Sequence, residues 1–144
     1  MVVLNPNNWH WVDKNTLGWT NDYLNRRFTN WQHSNDEYLV TVEKLKSCSG
    51  DSNVSQRKGK VICYFDLHLE FDAVLTKEGE EVCRGTITVP EFMHDESDFE
   101  VNLNSFGSNK NVVRDVVLER FVTDLLSYQQ ELIDSHSQDL QQST

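Results

Sequence analysis

No apolar run in these 144 residues approaches the ~20 needed for a helix to cross a bilayer, so no membrane span is predicted. The opening residues, Met1-Val2-Val3-Leu4-Asn5-Pro6, lack a basic start and a long apolar segment, which argues against a secretory signal. Cysteine is scarce, and Cys48, Cys63 and Cys83 are an odd number with no C-x-x-C spacing. That usage fits a reducing setting, cytoplasmic or also nuclear.

Motifs that carry chemistry are missing as well. The five histidines, His10, His33, His68, His94 and His136, are scattered, with no H-E-x-x-H pattern and no cysteine at ligand spacing, so no metal site is expected. No G-x-G-x-x-G, Walker loop or G-x-S-x-G is present, and no cofactor or catalytic residue is expected. His94-Asp95-Glu96 is the one local group of acid–base appearance, and it reads as a solvated acidic loop. An enzyme is the function class with least support.

Positive charge is thin, and unevenly so. The net charge is −10, but residues 1–60 carry eight Lys/Arg against six Asp/Glu, whereas residues 61–144 carry five against seventeen. An acidic second half disfavours nucleic acid and anionic membrane as ligands. It favours a protein partner with basic surfaces, or serves solubility alone.

What is present centres on Arg57–Phe71, RKGKVICYFDLHLEF. Val61, Cys63, Phe65, Leu67, Leu69 and Phe71 alternate with Ile62, Tyr64, Asp66, His68 and Glu70, the period-2 signature of a strand with one face on a core. Cys63 falls on the core face, where a free thiol behaves as a small hydrophobe. The outer face begins with Ile62 and Tyr64, next to the cations Arg57, Lys58 and Lys60. Apolar residues on a solvent face, rimmed by charge, suit a protein interface; a covering by the N-terminal arm is the other reading.

In chain order, NPNNWHW (residues 5–11) places two tryptophans around a histidine, either an arm pinned by its indoles or a strip offered to a partner. A helix is predicted over about 17–30, with Leu17, Leu24, Phe28 and Trp31 as its apolar stripe and Thr16 or Asn15 as its cap. A first strand is predicted over Glu37–Ser47, followed by SCSGDSNVSQ as a turn-rich link, then the strand over Val61–Phe71. Lys77-Glu78-Gly79-Glu80 is a hairpin turn leading to a strand over Glu81–Val89, which Pro90 is expected to end. Phe99, Val101 and Leu103 suggest a fourth, short strand. A helix over about 111–137 carries Val113, Val116, Val117, Phe121, Leu125, Tyr128 and Leu132 at helical period, and residues 136–144 are expected to fray. The resulting expectation is one α+β domain over 1–144 with an elongated shape. It has an N-terminal helix, a four-stranded antiparallel meander and a long C-terminal helix packed along the sheet.

Two motifs, NPNNWHWVDKN (Asn5–Asn15) and NVSQRKGKVICYFDL (Asn53–Leu67), resemble the N-terminal domain of the activator of heat shock protein 90 ATPase, a co-chaperone family. VPEFMHDES (Val89–Ser97) resembles a third, looser segment. Longer members carry a second domain, so the chain looks like the short single-domain fungal form. The resemblance implies the fold just described, and no enzymatic activity of the chain's own. It implies a monomer that binds the middle segment of heat shock protein 90, with its N-terminal domains as a further contact, and stimulates its ATPase cycle. The implied partner-binding residues are Asn5, Asn7, Asn8, Trp9, His10, Trp11, Asp51, Arg57, Lys58, Lys60, Ile62, Tyr64 and Asp95, while His94 stands where the family usually has an apolar residue. A non-regulatory adaptor on the same chaperone is the alternative.

Overall fold

A computed structural model describes residues 12–57 and 60–142, and in it the alternating segment becomes a strand from Lys60 to Lys77. In chain order the elements are β1 (Val12–Asn15), α1 (Leu17–Phe28), β2 (Trp31–Ser34), β3 (Tyr38–Arg57), β4 (Lys60–Lys77), β5 (Glu80–Met93), β6 (Asn102–Asn104) and α2 (Lys110–Gln142). All strand pairs are antiparallel, and the sheet order is β1-β3-β4-β5-β6 with β2 also on β3. The four predicted strands correspond to the meander β3–β6, although of Phe99, Val101 and Leu103 only Leu103 lies in β6. The described residues add two short ones, so the sheet has six strands rather than four.

The extra strands share one edge of β3. β1 pairs with Asn53–Gln56 and β2 with Leu39–Val42, and α1 joins them. Helix α1 is shorter than expected because Asn30 takes φ 62° just after it, and Trp31 therefore begins β2 instead of continuing the helical stripe. Between its two edge partners β3 bulges twice, between Val42 and Lys44 and between Leu45 and Ser47. Bulges twist an unpaired edge away from other chains.

The supposed link SCSGDSNVSQ is strand, because each of its residues finds a ladder partner on β4. Polar side chains do not prevent a strand when backbone pairing and one buried face are supplied. Gly50 makes this possible: at φ 117°, a Cβ would meet the Asp66 carbonyl oxygen at 2.2 Å. Pro90 does not end β5 either. It lies in a bulge between the pairs Leu69–Val89 and Leu67–Phe92, where no ladder N–H is required. The β4–β5 turn is as expected, with Glu78 at φ 52° and Gly79 at φ 81°, the two positive values a tight type I′ hairpin needs.

Helix α2 extends past the expected Ser137 to Gln142 and at 1.5 Å per residue spans roughly 50 Å. Val113, Val117, Phe121, Leu125, Tyr128 and Leu132 are buried along one stripe. Phe121 meets Phe71 and Tyr128 meets Phe65, so the helix runs antiparallel to β4 over its core face. Phe28 of α1 closes the cluster against Phe71 and Phe121. With both helices on one face, the opposite face of β4 looks outward.

Candidate partner-binding surface

The β3–β4 hairpin, whose strands end at Arg57 opposite Lys60, carries the candidate surface. Register sets its rows. Ser55 lies between Asp13 and Ile62, Asn53 between Asn15 and Tyr64, and Asp51 faces Asp66. Ile62 is 46% and Tyr64 44% exposed, and with Val82 they are the exposed large hydrophobics among the described residues. A shallow groove lined by Asp13, Asn15, Asn53, Ser55, Ile62, Cys63 and Tyr64 runs across the three strands.

The structure brings Asp51, Lys60, Ile62 and Tyr64 onto this hairpin, with Asp51, Lys60 and both apolar side chains exposed. For Arg57 the backbone position at the strand end is described, whereas Lys58, Asn5, Asn7, Asn8, Trp9, His10 and Trp11 lie outside the described residues. Asp95 sits apart in the loop after β5, at φ 61°. Its backbone N–H donates to Gln129 Oε1 at 2.7 Å, and Gln129 Nε2 donates back to Asp95 Oδ1 at 2.8 Å. His94 brings its ring to 5.1 Å from that of Tyr64.

Asp66, Asn15 and Asn53 are neighbours of the surface that reasoning on the chain alone did not assign. The alternation of β4 already placed Asp66 on the outer face, but only the register sets it opposite Asp51. Two carboxylates facing each other across a strand pair repel, so a cation from outside is welcome there. The surface thus has an apolar centre, an acidic pair on the inner side, and Lys60 at the tip.

Beneath it lies a buried hydroxyl cluster. Tyr128 Oη is 2.6 Å from Thr20 Oγ1 and 2.8 Å from Ser52 Oγ, while Thr16 Oγ1 is 2.8 Å from Ser52 Oγ. Thr16 spends its hydroxyl here instead of capping α1, and Asn15 Oδ1 takes the Leu17 N–H in its place. Burial pushes the Tyr128 phenol up to about 12, against the pull of its Ser52 and Thr20 bonds. The Cys63 thiol is pushed up to about 11 by burial, with Asp95 adding to the effect, so it stays protonated near neutrality and is a poor nucleophile. No group of His, Cys, Asp and Glu among the described residues has the arrangement of a metal site.

Comparison with known proteins gives a consistent picture. Residues 13–136 match the family model described as Activator of Hsp90 ATPase, N-terminal. The chain is 46% identical to the Hsp90 co-chaperone HCH1 of Saccharomyces cerevisiae, over 98% of this chain and 99% of that protein. It is 32% identical to the Hsp90 co-chaperone AHA1 of the same yeast, but spans only 44% of that protein's length. A crystal structure of Aha-1 from Plasmodium falciparum shares the fold, with TM-score 0.75, 24% identity, and coverage of 88% of this chain and 90% of that one.

Proposed function

Because the chain belongs to the family of the N-terminal domain of the activator of Hsp90 ATPase, we propose that it is an Hsp90 co-chaperone that stimulates or modulates the ATPase cycle of Hsp90. The observation that carries this reading is the outward exposure of Ile62 and Tyr64 beside the Arg57–Lys60 hairpin. The chain, as a monomer in the cytoplasm, docks this surface on the middle segment of Hsp90. Ile62 and Tyr64 form the desolvated centre, where aromatic anchors contribute most. Arg57, Lys58 and Lys60 meet acidic groups of the chaperone, and Asp51 and Asp95 meet basic ones, which fixes register and speeds encounter. The Asn5–Trp11 motif tunes nucleotide exchange or domain closure.

Such a protein catalyses nothing itself. It binds one conformation of the ATPase more tightly than others, and the shift it can impose is limited to that differential affinity. The favoured conformation is the one in which the loop bearing the chaperone's catalytic arginine is remodelled.

The test is Hsp90 ATP turnover with added wild-type chain and with an Arg57→Ala/Lys58→Ala variant. The wild type raises turnover, the variant does not, and thermal unfolding of the two is alike. Turnover indifferent to the wild type overturns the reading. Calorimetry with and without a non-hydrolysable nucleotide separates regulator from adaptor, since an adaptor binds equally in both states.

A further inference from the structure

Asp95 stands at φ 61° on an exposed loop, a left-handed conformation that Asp enters more readily than most side chains. Gln129 of α2 ties that loop down, gripping the Asp95 backbone N–H and carboxylate at once, at 2.7 and 2.8 Å. The preceding residue, His94, is then fixed against β4. Its backbone N–H donates to the Phe65 carbonyl at 3.2 Å, its ring Nδ1 accepts the Phe65 N–H at 3.3 Å, and the ring is 5.1 Å from that of Tyr64 and 6.0 Å from that of Phe65. Phe65 is itself held from behind by Tyr128, the neighbour of Gln129, at 4.9 Å between ring centroids.

A tyrosine 44% exposed on a bare strand is free to change rotamer, and ordering it in a contact costs affinity. Here one side of its ring is occupied by His94. We propose that Gln129 and His94 are positioning residues of the partner surface: the Gln129–Asp95 clasp holds His94 against Tyr64 and orients that ring before the partner arrives. Neither residue needs to touch the partner. The inference rests on the proposed function for the identity of that partner, and it gives Asp95 the task of holding the loop.

The experiment measures binding of the full chain to full-length Hsp90 by calorimetry, with nuclear Overhauser contacts between residues 94 and 64 recorded on the free chain. Gln129→Ala and His94→Ala should each lose the ring contact and bind about two- to tenfold more weakly. His94→Phe, which restores a ring but not the acceptor for the Phe65 N–H, should recover part of that loss. In the double variants with Tyr64→Ala, the Gln129→Ala and His94→Ala losses should vanish, because they act through that ring. A merely structural role would leave losses that add to that of Tyr64→Ala, and this result overturns the proposal, as does unchanged affinity in both single variants. A wild type that does not bind Hsp90 at all overturns the proposed function and this inference together.

Discussion

Trp31 donates its indole N–H to Asp124 Oδ2 across 2.7 Å, and this buried bond ties β2 to the middle of α2. The same carboxylate lies 3.5 Å from Arg27 and 3.3 Å from Arg120, and it is almost closed to solvent. His33 strengthens the seam by donating from Nδ1 to the Val116 carbonyl at 2.8 Å. Asp124→Ala leaves the indole N–H without an acceptor and should cost about 2–3 kcal/mol in urea unfolding. Trp31→Leu removes donor and ring together but leaves the carboxylate with its two arginines. Asp124→Asn, which keeps an acceptor for the indole, should cost less than the alanine variant; equal losses would mean the bond contributes nothing.

Two glycines should respond in opposite directions. Gly50→Ala forces a Cβ against the Asp66 carbonyl oxygen in a left-handed backbone, at φ 117°, and should cost roughly 2–4 kcal/mol. Gly18 is exposed within α1 with open space around it, so Gly18→Ala should stabilise by about 0.5–1 kcal/mol. Thermal midpoints of the two variants should move down and up, respectively.

Stability should be lost on the alkaline side. Burial raises Cys48 and Cys63 from 9.0 to about 11, and Tyr128 from 10.0 to about 12. Below about pH 8 all three hold their protons in both states, and their contribution is constant. Above it the unfolded chain releases protons that the folded chain keeps, so the free energy of unfolding falls as pH rises. The decline begins with the thiols and steepens above pH 10 as the fully buried tyrosine joins, adding at most about 1.4 kcal/mol per pH unit. Urea titrations at pH 7, 9, 10 and 11 check this. In a Tyr128→Phe variant the part beginning at pH 10 should shrink, although its stability at pH 7 also drops by about 1 kcal/mol from the lost hydroxyl.

Surface and core should separate on adjacent positions of one strand. Ile62→Ser and Tyr64→Ala, both on half-exposed side chains, should cost no more than about 1 kcal/mol of stability while weakening binding to Hsp90. Phe65→Ala, buried against Phe92, Tyr128 and the His94 ring, should cost about 3–5 kcal/mol. Unfolding curves and binding isotherms on the three variants suffice.

Much of this was legible along the chain, wherever a side chain reports its own environment. Alternation from Val61 to Phe71 identified β4 and its outward pair, Ile62 and Tyr64, because pleating turns a period of two directly into two faces. The 3.6-residue period of Val113, Phe121, Leu125 and Leu132 did the same for α2. Residues whose structure is imposed by a distant partner were not legible. The link at Ser47–Gln56 is polar and glycine-bearing, yet it is strand because β4 offers a full row of backbone partners. Trp31 continued an apolar stripe, and a single left-handed Asn30 moved it into β2.

The amino-acid order alone determined the local periods, the acidic imbalance, and the motifs that place the chain in its family, since each depends on nearest neighbours or on composition. Tertiary structure decided which residues face each other: Asp51 with Asp66, His94 with Tyr64, Gln129 with Asp95. These pairings join residues 15 to 34 positions apart in the chain, and strand register and helix docking bring them together, which no local pattern encodes.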